Sequence, residues 1–538
     1  MTSNILKVVL RWLVLLLLGL AVVLGFSRVV PYCMDEFLQY NEIIYRYYPN
    51  NRLNTFDERP GLYDLNVLGS GLVLPLRCYD YMGVVPALYY FPLFAIWKDP
   101  ASARFTGIVF LFLQSLLLAR IVRFKSEYLF LGLVCFFPYL FQHLVETGLV
   151  GLQIVCLLGI YLLLGRWFGT PTWRRAIGIA SLVFLGVWTK LSFLWYGPAL
   201  LWVAGGFAWQ SRGRWLARER RRDAALQAAV GAAVLLALLS VLFASTGPAD
   251  PGRYPYREQV FGSPYGARHG VSELLDSVHL RSLPVFDRLW NPWRAAERVF
   301  DPPADLPWAL VYSACLYAAG PLLWLVLARN GWTQPRRLIL RALWVYVAFW
   351  LTLAMVFLNK EAWAMHHTLL AYPFLVLSLL ISLEAVREGG FSHGRAGYYR
   401  RVVAVAVSAF VALNSYYYVL LPRQKVDPEN DASRIRLNAR LADAGLARGY
   451  FYVVLDWGVY FYQALYGHRD QSVLYVSPLT PARARELRKL QARTGRKLLF
   501  LYNPRLPGHD PGAVDRYFRV IPCDLLGTGA PAPIPGAC

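Results

Sequence analysis

Long apolar runs alternate with short polar loops over most of the chain, and each run is close to the length needed to cross a hydrocarbon core of roughly 30 Å. The runs fall at 5–26, 103–120, 127–142, 147–165, 176–190, 193–209, 224–245, 307–328, 338–358, 368–385 and 402–421. They predict about eleven transmembrane helices. Residues 82–97 are also apolar, but the stretch is short, aromatic and interrupted by Pro86 and Pro92. It reads as a helix lying at the membrane surface rather than as a span.

The polar loops carry a second pattern. Arg120, Arg123 and Lys125; Arg166, Arg174 and Arg175; the run from Arg212 to Arg222; Arg329, Arg336, Arg337 and Arg341; and Arg387, Arg395, Arg400 and Arg401 occupy every second loop. Cytoplasmic loops are enriched in Lys and Arg, so the alternation predicts a cytoplasmic N-terminus and an outward C-terminus. Counting 82–97 as a span would break it. The net charge of +22 on 538 residues therefore reports topology and contact with anionic lipid head groups, and predicts no nucleic-acid partner. A composition that is 57% hydrophobic and only 16% charged, with mean hydropathy +0.38, fits the same polytopic class. Residues 5–26 are long for a signal peptide, and Leu24-Gly25-Phe26-Ser27-Arg28 is a poor cleavage site, so an uncleaved anchor is expected.

On this topology the outward side receives the first loop (27–102), the turn around Glu146, the turn Trp188-Thr189-Lys190, the loop 246–306, the segment from Asn359 to His367, and the tail. In the tail, 449–455, 472–477 and 497–502 read as strands and the stretch to about Arg493 as a charged helix. A small extracytoplasmic α/β domain over 423–538 follows, beside a membrane domain over 1–422. Cys33 with Cys78 and Cys523 with Cys538 share outward segments, where an oxidising compartment permits disulfides. No Asn-x-Ser/Thr sequon occurs, which favours a bacterial inner membrane over a reticulum lumen.

The outward turns hold the candidate chemistry. Asp35 and Glu36 lie just beyond the first span, where an ionised carboxylate faces water, a cation or a reacting group. Asp35 is placed to act as a general base, and Glu146 to share a divalent cation, Mg or Mn, with the pair. The alternative for Asp35 is an N-cap on a helical run to Tyr47. Lys190, Arg268, Lys360, His366 and His367 supply positive charge for a phosphate, whose developing charge such groups stabilise. Lys190 and Lys360 are also where snorkelling side chains are expected, and the adjacent histidines lack a helical metal-ligand spacing.

In order and sidedness these features resemble the GT-C superfamily of polytopic glycosyltransferases, in particular the lipid A aminoarabinose transferase and protein O-mannosyltransferase branch. Met34-Asp35-Glu36-Phe-Leu-Gln-Tyr40 is similar to that family's Pro-Asp-Glu-x-x-x-Tyr motif after the first span. Pro86-Ala-Leu-Tyr-Tyr90 resembles its interfacial helix, Glu146 matches its second-loop acid, and Thr189-Lys190 with Pro198 looks like its Thr-Lys turn. Asn359-Lys360 through Tyr372-Pro373 resembles its late lysine segment. The resemblance implies inverting transfer of a sugar from a polyprenyl-monophosphate carrier to a glycan, lipid or protein hydroxyl. It assigns Asp35 as base, Glu146 as second carboxylate, Glu36 as auxiliary, and Lys190, Arg268, Lys360, His366 and His367 as phosphate contacts. Where the family often has a lysine two residues before proline, this chain has Val84, which leaves that phosphate contact missing or supplied by Arg77 or another residue.

Two other classes are compatible with many spans. A transporter or flippase places polar residues at the midplane on broken helices, with internal repeats, whereas here they fall at span ends. A glycan polymerase or ligase using a lipid-diphosphate donor would draw on the arginine-rich loop 246–306.

Overall fold

The computed structural model describes residues 10, 13–14, 16–21, 23–25, 64–66, 73–76, 83–97, 101–122, 149–215, 218–244, 318, 320–321, 324–325, 336–357, 370–388, 450–454, 473–475 and 481–501. In chain order the elements are β1 (Asp64–Asn66), β2 (Val73–Pro75), α1 (Val85–Ile96), α2 (Ala101–Ile121) and α3 (Leu149–Gly169). They continue with α4 (Trp173–Thr189), a 3-10 helix (Leu191–Tyr196), α5 (Gly197–Ser211), α6 (Arg218–Ala244), α7 (Arg336–Phe357) and α8 (Tyr372–Glu388). β3 (Tyr450–Val454), β4 (Val473–Tyr475), α9 (Pro481–Thr494) and β5 (Lys497–Leu501) complete the set. The chain divides into two compact units, one of residues 1–23, 81–85 and 103–425, the other of residues 24–80, 86–102 and 426–538.

Five stretches are long and apolar enough to cross a membrane: Arg104–Ile121, Leu149–Gly169, Leu191–Ser211, Arg221–Leu242 and Arg337–Val356. Leu16–Gly25 and Tyr372–Ala385 are shorter apolar helices. These are the dimensions of an α-helical integral membrane protein. The expected spans at 127–142 and 402–421 lie outside the described residues.

Within the first unit the direction of each helix follows from its contacts. α3 and α4 run antiparallel, since Gly159 faces Leu182 and Gly178 faces Leu163. α3 and the chain through α5 run parallel, with Gln153 bonded to Ser192 and Tyr161 against Phe207. α5 and α7 are antiparallel, because Trp202 stacks on Trp344 while Phe207 lies against Arg341. α7 and α8 are antiparallel as well, with Ser378 bonded to Ala342 and Tyr372 beside Phe349. The N-terminal part of α6 joins the end of α3 and the start of α4, where Trp167 packs with Ala176 and Ala224. One end of the bundle consequently gathers Arg166, Arg174, Arg175, Arg212, the first turns of α6, Arg336 and Arg337. These described members of the alternating basic loops thus share one end of the first unit.

Several polar atoms inside the bundle find partners on the helix backbone or on a neighbouring helix, as a dry environment demands. Thr352 and Ser382 donate to carbonyls one turn back, at Ala348 and Ser378, while Ser378 donates across to Ala342 of α7 at 2.9 Å. Trp167 Nε1 donates to Gln227 Oε1 and ties α3 to α6. Interhelical bonds of this type are each worth about 0.6 kcal/mol on average, so close packing carries most of the stability. Arg175 reaches back to the Arg166 and Thr170 carbonyls and the Thr170 hydroxyl, closing the three-residue link between α3 and α4.

In the second unit β1 and β2 form an antiparallel hairpin with Leu65 opposite Leu74. α1 is one uninterrupted helix. Pro86 falls in its first turn, where no N–H partner is needed, and Pro92 is carried inside it. The sequence expectation of a break at Pro92 is therefore replaced by a continuous helix of about 18 Å, still too short to span. Tyr90 is buried and its hydroxyl lies 2.9 Å from Ser102 Oγ. β3 is the central strand of a parallel sheet in the order β4-β3-β5. α9, between β4 and β5 in sequence, buries Ala484 and Leu487 and exposes most of its charged residues.

Candidate functional site

Among the sequence-predicted site residues the described structure includes Lys190. Asp35, Glu36, Glu146, Arg268, Lys360, His366 and His367 lie outside the described residues, as do Cys33, Cys78, Cys523 and Cys538. Lys190 stands at the end of the bundle opposite the arginine-rich end. That end also holds the start of α3, the end of α7 and the start of α8, the helix ends that flank Glu146 and the 358–369 segment in sequence.

α4 stops at Thr189 because Lys190 takes up an extended backbone (φ −159, ψ 138), after which the chain re-enters a 3-10 turn leading to Gly197 and Pro198. Proline at the second helical position lacks only an N–H that would have no intrahelical partner. The bend is fixed from three sides. Gln153, wholly buried on α3, donates from Nε2 to the Lys190 carbonyl at 2.7 Å and accepts at Oε1 from the Ser192 hydroxyl at 3.3 Å. Phe193 N–H donates to the same carbonyl, and Lys190 N–H returns to Gly186 O. Gly83 N–H donates to Thr189 O at 3.2 Å, bringing the segment before α1 onto the turn.

Two glycines make this closeness feasible. At Gly83 a Cβ would overlap the Trp188 carbonyl, and at Gly186 it would sit 2.6 Å from the Phe193 ring. Thr189 is buried and its hydroxyl donates back to Leu185 O at 2.8 Å, so it caps its own helix rather than facing outward. Lys190 itself is half-buried. Below the turn, Tyr196 is wholly buried edge-on to Phe193 and Phe374, and its hydroxyl has no hydrogen-bond partner among the described residues.

The arrangement can hold one cation in a fixed place on a rigid backbone. Val84, next to Gly83, is buried, so that position offers packing and no charge. Tyr90 is committed to the interior and to Ser102. Among the described residues no group of three or more His, Cys, Asp or Glu could hold a metal ion. Sequence reasoning overlooked Gln153, Ser192 and Gly83, which position the turn, and Arg104, wholly buried in the first turns of α2. A lone amide or guanidinium in an apolar run is a readable signal for Gln153 and Arg104; nothing in the local sequence singles out Gly83.

Gln153→Leu is expected to lower the thermal unfolding midpoint in detergent by the equivalent of about 1 kcal/mol. The Lys190 carbonyl would retain Phe193 as donor while Ser192 would lose its acceptor. An unchanged midpoint would mean that the amide does not hold the turn. The chain matches no protein-family model, and no curated protein sequence matches it significantly.

Proposed function

We propose that the protein is an inverting GT-C-type glycosyltransferase of about eleven spans, moving a sugar from a polyprenyl-monophosphate carrier to an acceptor hydroxyl at the outer face. Asp35 is the general base, Glu146 the second carboxylate and Glu36 an auxiliary group. The leaving phosphate is met by Lys190, Arg268, Lys360, His366 and His367, with Mg or Mn as a candidate partner of the carboxylates. Direct displacement at the anomeric carbon needs one base and a stabilised leaving group, and this donor set supplies both kinds of group.

What carries the reading is the bend at Thr189-Lys190. Its lysine is built onto a carbonyl and amide framework at the end of the bundle remote from the arginine cluster, beside the helix ends that lead to Glu146 and to Lys360, His366 and His367. A transporter would call for broken helices at the midplane, whereas this break falls at a helix end.

The test is turnover. Purified full-length protein in lipid nanodiscs, given a panel of polyprenyl-phosphate sugars and hydroxyl acceptors, should release polyprenyl phosphate and form a glycoside of inverted configuration. Turnover confined to lipid-diphosphate glycans would replace the monophosphate reading with a polymerase or ligase, and net lipid translocation without transfer would replace it with a transporter. Lys190→Gln should raise the KM for the lipid donor by about tenfold, the loss expected for one charge-assisted phosphate contact. The KM for the acceptor should hold. A rise confined to the acceptor KM would move Lys190 away from the donor phosphate.

A further inference from the structure

We propose that the arginine-rich end of the seam between α5 and α7 is a binding site for the phosphodiester of an anionic glycerophospholipid. The inference requires that the bundle sit in a bilayer and is independent of the sugar-transfer reading. The two helices run antiparallel and are locked by Trp202, whose ring lies 4.1 Å from that of Trp344 and whose Nε1 donates to the Trp344 carbonyl at 3.0 Å. Gly206 allows Trp344 to settle against the α5 backbone. One turn nearer the arginine-rich end, Arg341 lies against Phe207, so continuing the antiparallel register brings Arg337 toward the level of Gly213 and Arg212.

The guanidinium of Arg341 is fixed rather than mobile. Its Nε donates to Tyr161 Oη at 2.8 Å, and its Cζ lies 5.4 Å from the centre of the Tyr161 ring and 5.9 Å from that of the Phe207 ring. Among the described residues its hydrogen bonding uses only Nε, which leaves the planar pair of Nη groups, the part that matches a phosphate bidentately. Arg337 follows one turn toward the helix start and is exposed, and Arg212 is exposed and stacked 4.2 Å from the Trp209 ring. Gly205 and Gly213 have open space where a side chain would begin. The carboxylates carried by helices near this end are Glu384, which acts electrostatically on the Tyr161 hydroxyl from α8, Glu388 at the end of α8, and Glu219 and Asp223 in the first turns of α6.

Between and below the arginines the seam exposes apolar side chains, with Leu340 39% exposed at the arginine level, and Trp202 37% and Leu201 76% farther from it. A head-group phosphate over an acyl chain fits that order of polar and apolar surface, and basic sites between helices at one membrane face are a known mode of lipid recognition. A soluble anion would use the arginines and leave the leucine surface bare.

The experiment uses delipidated full-length protein in mild detergent. Phosphatidylglycerol, phosphatidylcholine and inorganic phosphate are added separately, with bound lipid counted by native mass spectrometry and unfolding followed by heating. Phosphatidylglycerol should bind at least tenfold more tightly than phosphatidylcholine and raise the unfolding midpoint, and inorganic phosphate at equal concentration should not. Arg337→Gln and Arg212→Gln, both at exposed positions, should each reduce the preference about fivefold without shifting the lipid-free midpoint. Arg341→Lys, which keeps charge but loses the planar fork, should also reduce it. Equal binding of the two lipids, an undiminished preference in the Arg337→Gln/Arg212→Gln pair, or an equal response to inorganic phosphate would each overturn the proposal.

Discussion

Asp35→Asn should lower the rate of sugar transfer by roughly 10²–10⁴-fold, the contribution of a positioned general base. Asparagine keeps the shape of the side chain and removes its ability to accept the acceptor's proton, so donor binding should survive while chemistry fails. The consequence is a fall in kcat with little change in donor KM, read from release of polyprenyl phosphate in nanodiscs. Glu36→Gln provides the internal contrast and should cost less than about tenfold, since an auxiliary contact does not take the proton. The acid limb of the wild-type pH–rate profile, which reports ionisation of an essential base, should disappear in Asp35→Asn. Equal turnover of wild type and Asp35→Asn would remove Asp35 from the mechanism, and a greater loss in Glu36→Gln would transfer the role to its neighbour.

The regular parts of this fold are legible because membrane burial imposes one simple demand, a run of apolar residues long enough to bond its own backbone. α2, α3, α6 and α7 follow the apolar runs to within several residues, and the tail strands β3, β4 and β5 fall where short β-branched and aromatic runs predict them. The hairpin β1–β2 was not legible, because three-residue strands are too short to show alternation, although the sequence between them carries glycine, a residue type favoured in turns, at 69 and 71. Pro92 misled for a different reason. A proline deletes one backbone bond and is commonly a breaker, yet α1 keeps its path through it.

Of the candidate site, the break at Thr189-Lys190 was legible in the sequence and its geometry was not. Thr189 and Lys190 stand out in sequence as polar residues ending an apolar run, but the sequence does not reveal that Thr189 turns inward to Leu185 while Gln153, 37 positions earlier, holds the Lys190 carbonyl. Such partners depend on how α3 meets α4, which is settled by side-chain packing between elements and leaves no periodic trace. The arginine alternation is an intermediate case. Read in sequence it is a topology signal, and in the structure its described members, among them Arg175, Arg212 and Arg337, gather at one bundle end, with Arg341 drawn inward by Tyr161.

Gly83→Ala is the substitution that separates the backbone framework from the cation it presents. The new methyl group would overlap the Trp188 carbonyl oxygen, a backbone atom in the last turn of α4 that no rotamer change can move aside. Either the segment carrying residue 83 retreats, breaking its hydrogen bond to Thr189 O, or α4 shifts and drags Lys190 with it. Overpacking of this kind costs about 1–3 kcal/mol, visible as a lower unfolding midpoint. A displacement of about 1 Å at a positioning group can cost about 10²-fold in rate, so transfer should fall further than stability alone explains. Measured below the unfolding transition, donor kcat/KM should drop while the fraction folded stays constant. Gly197→Ala is the control at the same bend: it has open space for a Cβ and helical angles of φ −50 and ψ −58. It should leave activity intact and, if anything, raise the midpoint by up to about 1 kcal/mol. Full activity in Gly83→Ala would show that the close approach at Trp188 does not set the position of Lys190, and the turn would then lose its place in the catalytic argument.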